Sequence, residues 1–160
     1  MSRKGQSKLK NILQDSQYQS VTVAKIVNYA MKDGKKAVAQ KQVYQCLDIV
    51  KKESRQDDVV TVLEQAIDNI KPKVEVRPRR IGGAVYQVPT PVRNNRQLSL
   101  AIRWLVNSAR LKDNKQHHSF GQKLASEVLS AFKSEGAAVA KRQEVEKMAE
   151  ANKAFSHLRW

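Results

Sequence analysis

The sequence predicts a mainly α protein, a bundle of six helices from which a two-stranded β-hairpin projects between the third and fourth. Three observations carry this prediction. Apolar residues recur at helical spacing in six segments separated by glycine, proline or polar breaks. Once, between residues 73 and 90, the period switches to two around the pair Gly82-Gly83. The 160 residues are 41% hydrophobic, which suits one domain with a real core, and no internal repeat or low-complexity segment divides it.

Residues 1–19 hold Arg3, Lys4, Lys8 and Lys10 among polar neighbours with little to bury. They read as an extended basic arm that orders on a partner, ahead of a single domain over 20–160. Ser20 is the N-cap of a first helix carrying Val23, Ile26, Val27, Ala30 and Met31, and Asp33-Gly34 ends it. Lys35 and Lys36 open a second helix with the stripe Ala39, Val43, Cys46, Leu47 and Val50. Two lysines at a helix start oppose the helix dipole, and a docked phosphate relieves that conflict. Asp57 and Asp58 start a third helix with Val59, Val62, Leu63, Ala66, Ile67 and Ile70 inward, and Pro72 stops it. With Glu53, Glu64 and Asp68 this is the acidic part of the molecule, expected to face away from any polyanion.

The hairpin is expected over 73–79 and 84–89. Pro78, Pro89 and Pro91 keep it from joining a larger sheet, so it should project as an arm. Its tip carries Arg79 and Arg80, and Gly82 and Gly83 let backbone approach a partner closely. A basic two-stranded arm suits a nucleic-acid groove. A fourth helix follows over about 97–111, burying Leu98, Ala101, Ile102, Leu105 and Ala109. Arg96, Arg103 and Arg110 recur every seven residues along it, drifting only about 20° per step, so they form a ridge. Trp104 on this helix fits inter-helix packing or stacking on a base. Residues 112–119 read as a polar loop whose adjacent His117 and His118 make no metal or catalytic set. A fifth helix carries Leu124, Val128, Ala131 and Phe132 inward up to Gly136. A sixth, over about 138–151, buries Val145, Met148 and Ala149 and shows Lys141, Arg142 and Lys147. Phe155 and Trp160 in the basic tail could cap the core, stack on bases or meet a protein neighbour.

Charge points to the partner. The net charge is +15 and the pI about 10.1. Residues 76–112 contain no Asp or Glu but hold seven of the eleven arginines: Arg77, Arg79, Arg80, Arg93, Arg96, Arg103 and Arg110. Guanidinium forks match phosphate oxygens and stack on bases, so an acid-free block expects its counter-charge from a polyanion, chiefly nucleic acid. The single Cys46 excludes an intramolecular disulfide and reads as a small buried hydrophobe. No signal-peptide run and no stretch near the roughly 20 apolar residues of a membrane span is present, so a soluble intracellular protein with no membrane contact is expected. No phosphate loop, H-E-x-x-H, Cys-x-x-Cys or serine elbow appears, so neither enzyme activity, cofactor nor metal is expected. An architectural DNA-binding protein is the alternative, and it would need a dimer to wrap DNA with two arms.

The run VEVRPRRIGGAVYQVPTPVR, then LAIRWLV, closely resembles the small-subunit ribosomal protein seven family of the bacterial and organellar type. DGKK at 33–36, DNIKP at 68–72 and MAEANKAFSHLRW at 148–160 match it in the same order, so the resemblance covers nearly the whole chain. It implies six helices with a hairpin between the third and fourth. It also implies a primary binder of small-subunit ribosomal RNA that nucleates the 3′ major (head) domain, beside neighbouring ribosomal proteins, with its hairpin near exit-site transfer RNA and the messenger path. The RNA-contacting positions it implies are the arm, Lys35 and Lys36, the hairpin, Arg93, Arg96, Arg103 and Arg110, and Lys141 and Arg142. Asn94-Asn95-Arg96-Gln97 stand where the family has proline and more arginine, so fewer contacts are expected there.

Overall fold

The computed structural model of the chain describes residues 12–54, 56 and 58–159. Arg3, Lys4, Lys8, Lys10, Asp57 and Trp160 lie outside the described residues. Among the described residues six α-helices form: α1 (Val21–Ala30), α2 (Lys36–Ser54), α3 (Val59–Ile70), α4 (Asn94–Leu111), α5 (Phe120–Phe132) and α6 (Ala137–Ala151). Between α3 and α4 lies an antiparallel pair, β1 (Val74–Ile81) and β2 (Ala84–Pro91), and a 3-10 helix (Lys153–Leu158) follows α6. Among the described residues the two strands form a sheet by themselves, in keeping with their prolines.

Capping chemistry fixes most helix starts. The Ser20 hydroxyl accepts from the Thr22 and Val23 N–H groups, and the Asp58 carboxylate does the same for Val60 and Thr61. Ser119 and Gln122 form a reciprocal capping box at α5. The Thr61 hydroxyl and these backbone donors hold the Asp58 carboxyl below its ordinary range.

α5 is the central helix, packed against α2, α3, α4 and α6. Around it the expected stripes of α2 and α3 are buried without exception, and Cys46, at 1% exposure, has its thiol pushed well above its ordinary value by burial. Each fully buried Val, Leu or Ile of this core contributes about 1.5–3 kcal/mol. α5 approaches α2 so closely that a Cβ on Gly121 would lie 2.8 Å from the Gln42 carbonyl oxygen. The Gly121 N–H also donates to the Gln42 side chain at 2.9 Å. Gly121→Ala should therefore force the helices apart and lower stability by about 1–2 kcal/mol, read as a denaturant midpoint shift at unchanged slope.

Several expectations are corrected. α1 stops at Ala30, before Asp33-Gly34, because its last carbonyls are taken by a side chain of α4: Arg110 donates to Tyr29 O at 3.4 Å and Ala30 O at 3.2 Å. α4 begins at Asn94 rather than Gln97, since the Gln97 amide reaches back to Val92 O at 3.0 Å and ties down the first turn. Each hairpin strand runs two residues past its expected end, to Ile81 and Pro91, while β1 starts at Val74 and β2 at Ala84. Ala149 is buried as expected, but Met148 is 45% exposed and Val145 only half-buried, and α6 buries Ala138 and Val139 as well. Within residues 12–19, Asp15 is buried, accepts from the Gln17 and Tyr18 N–H groups, and takes the Tyr44 hydroxyl of α2 at 2.8 Å. Tyr18 packs edge-on against Tyr44, and burial, then the Asp48 carboxylate, raise its phenol above its ordinary value.

Candidate nucleic-acid interface

The hairpin displays its cations through strand alternation. Arg77 and Arg79 share one face with Glu75, opposite Val88 and Tyr86, while Arg80 lies on the other face opposite Val85. Gly82 and Gly83 make the two-residue turn with φ of 54° and 88°, the left-handed pair that matches strand twist. Arg80 and Val85 are both exposed at the tip. Arg79 is half-buried.

At its base the hairpin is tied to α4 by one carboxylate. Glu75 is 7% exposed; its Oε1 accepts from Arg77 Nε at 2.7 Å and its Oε2 from Arg96 Nε at 2.7 Å. Burial works against ionising Glu75, but the hydrogen bonds and charges of Arg96 and Arg77 outweigh it and hold its carboxyl below the ordinary range. Glu75 sits one position outside the acid-free block, and Arg77 and Arg96 have it as an internal counter-ion. Sequence reading missed it because an acid next to a basic run is silent about which way its side chain turns.

The arginine ridge of α4 divides by role. Arg96 closes the Glu75 bridge, Arg103 is exposed, and Arg110 caps α1. Arg93 is exposed immediately before a helix whose first turn has no acid and whose N-cap makes no side-chain hydrogen bond. That end carries a positive dipole, which the Glu75 carboxylate reaches only through Arg96. Trp104 is half-buried against the core, as its inter-helix reading expects.

Two further groups of cations flank this surface. Lys35 and Lys36 are exposed at the start of α2, whose first turn likewise has no acid. At the start of α6, Lys141 pairs with Glu144 at 2.8 Å, and Arg142 lies 3.7 Å from Glu146 with its Nε making no hydrogen bond. Exposed i,i+3 pairs contribute little, so an incoming phosphate can displace Glu144. The tail meets the ribbon: Phe155 packs on Tyr86 of β2 with ring centroids 5.3 Å apart. Among the described residues no group of three His, Cys, Asp or Glu side chains is placed to hold a metal, and no helix is long and apolar enough to cross a membrane.

Comparison with known proteins gives one consistent result. The sequence profile of the family described as ribosomal protein S7p/S5e matches residues 2–153. The chain is 48% identical over 160 residues to a protein of Thermodesulfovibrio yellowstonii named small ribosomal subunit protein uS7, covering all of both chains. Proteins of the same name from Xylella fastidiosa and Thioalkalivibrio sulfidiphilus are 46% and 49% identical over the same full length.

Proposed function

Because the chain belongs to the ribosomal protein S7p/S5e family, we propose that it is a structural constituent of the small ribosomal subunit that binds that subunit's RNA. Its role in translation is architectural rather than catalytic, and its setting is the cytoplasmic ribosome. It binds the RNA directly, nucleates the 3′ major (head) domain beside neighbouring ribosomal proteins, and holds its hairpin near exit-site transfer RNA and the messenger path. The observation that carries this reading is the surface made by the hairpin and α4. Arg77, Arg79 and Arg80 on the ribbon and Arg93, Arg96 and Arg103 on the helix follow one another without an acid among residues 76–112, joined by Glu75 into one unit. Such a surface docks folded RNA by shape and phosphate geometry rather than by reading a linear code.

The test is competition between a head-domain ribosomal RNA fragment and duplex DNA of equal length over a salt series. Both ligands lose affinity steeply with salt, because each neutralised phosphate contributes roughly 0.9 to the log–log slope on duplex DNA. RNA binding that persists where DNA binding is lost is the expected result. Equal loss on both would reduce the arginines to nonspecific charge and favour an architectural DNA-binding protein. On the RNA, changing Arg79 and Arg80 together to Ala should weaken binding roughly tenfold at moderate salt and shallow the slope by about one to two. The circular-dichroism spectrum should be unchanged, and an unaltered slope would take these two residues out of the interface.

A further inference from the structure

Between the α1–α2 turn, the C-terminal end of α4 and the first turn of α5 lies an open cavity of about 260 Å³. Its walls include Lys32, Lys35, Val38, Gln42, Arg110 and Phe120, three cations with no carboxylate among the lining residues. We propose that this cavity receives a single unstacked RNA nucleotide, its base against Phe120 and Val38 and its phosphates on Lys32 and Lys35. The proposal rests on the RNA-binding reading above and adds to it a seat for one base.

Four features argue for a base rather than phosphate alone. Val38 is 60% exposed on α2, an apolar side chain that folding does not require at that position. Phe120 is half-buried, so one side of its ring packs on the core and the rest lines the cavity. Arg110 is fixed through its Nη2 by the Tyr29 and Ala30 carbonyls, which holds the guanidinium plane as a preset wall. The Gln42 side-chain oxygen is occupied by the Gly121 N–H, so its amide is oriented, and the N–H₂ end has no partner among the described residues. That donor pair suits an acceptor on a base edge. The volume lies just below the range of about 300–1,000 Å³ for small-molecule sites, which favours one planar ring over a whole cofactor. Single-stranded RNA is recognised in this way, by splayed bases stacked on aromatic rings or guanidinium planes with basic residues tracking the backbone.

The decisive variant is Val38→Trp in the full chain, which fills the cavity without altering charge at an exposed helical position. Affinity for the head-domain RNA fragment should fall about tenfold while the salt slope stays as in the wild type, because a stacking contact is lost and phosphate contacts are kept. An independent measurement needs no variant: AMP, UMP and ribose 5-phosphate are titrated in turn into the wild-type protein while the Val38 methyl and Phe120 ring resonances are followed. Saturable shifts from the two nucleotides and none from ribose 5-phosphate are expected. Equal shifts from all three would mean an anion site only, and the proposal falls. It also falls if folded Val38→Trp binds RNA like the wild type, or if none of the three ligands moves those resonances. Wild-type protein that fails to bind the fragment would instead overturn the RNA-binding reading itself.

Discussion

Replacing Glu127 with alanine should lower stability by about 3–5 kcal/mol, the largest effect expected of any charged residue among those described. Glu127 is 1% exposed in the middle of α5. Its Oε2 pairs with Lys112 Nζ, just past the end of α4, at 3.0 Å, and its Oε1 accepts the Ala138 N–H of the first turn of α6 at 2.8 Å. One carboxylate thus joins three helices and satisfies a helix-terminal donor that Gly136, with no side chain and φ of 94°, leaves to it. Removing it strands a buried N–H and leaves the Lys112 ammonium, whose side chain is only 22% exposed, with the Ser126 hydroxyl in place of a counter-charge. For a chain of this length each kcal/mol shifts the melting temperature by about 2–4 °C, so a drop of roughly 10 °C is expected in a circular-dichroism melt. Glu127→Gln keeps the acceptor for Ala138 but not the charge for Lys112, and should fall between. A loss below about 1 kcal/mol in the alanine variant would show that this carboxylate is not what fastens α4, α5 and α6.

The second large effect belongs to Glu75. Glu75→Gln should cost about 2 kcal/mol at neutral pH, because two charge-assisted contacts weaken together. The figure stays at the low end because the Arg77 and Arg96 side chains are 51% and 52% exposed and water replaces part of what they lose. The effect depends on pH with a definite sign. The carboxyl is held below its ordinary value of 4.5, so its stabilisation is complete above that value and disappears as pH falls through the lowered folded value. Denaturant titrations of wild type and Glu75→Gln should therefore run parallel from neutral pH down to the ordinary glutamate range and converge in stronger acid. A gap that persists unchanged below that range would assign the loss to packing instead of charge.

Much of this fold is legible in the sequence because the signals are local. The stripe Val59, Val62, Leu63, Ala66, Ile67 and Ile70 repeats at helical spacing and buries as one face, and Ser20 and Asp58 cap the helices they precede. The hairpin follows from alternation around Gly82-Gly83. What is not legible depends on residues distant in the chain. The end of α1 is set by Arg110, eighty positions later, so the nearby Asp33-Gly34 turn misleads. Met148 has the hydrophobicity of a core residue, yet the small Ala138, Val139 and Ala149 let α6 lie close on its neighbours and leave Met148 outside. Glu127 and Lys123 sit on the buried face of α5, where single-residue polarity predicts solvent. Lys123 is held there by the Lys112 carbonyl at 2.6 Å. On the candidate surface, charge marks the arginines only as a group and cannot separate Arg110, a structural cap, from the exposed Arg103.

The prolines of the ribbon have a consequence for the protein before it meets any partner. A two-stranded sheet has two open edges, and open edges recruit strands from other chains. Pro78, Pro89 and Pro91 stand within the ladder opposite Gln87, Val76 and Val74, each removing an N–H that an invading strand would need. Arg77 and Arg80 add like charge along the same edges. A freshly made chain can therefore carry a long, partly apolar ribbon in solution without templating its own aggregation.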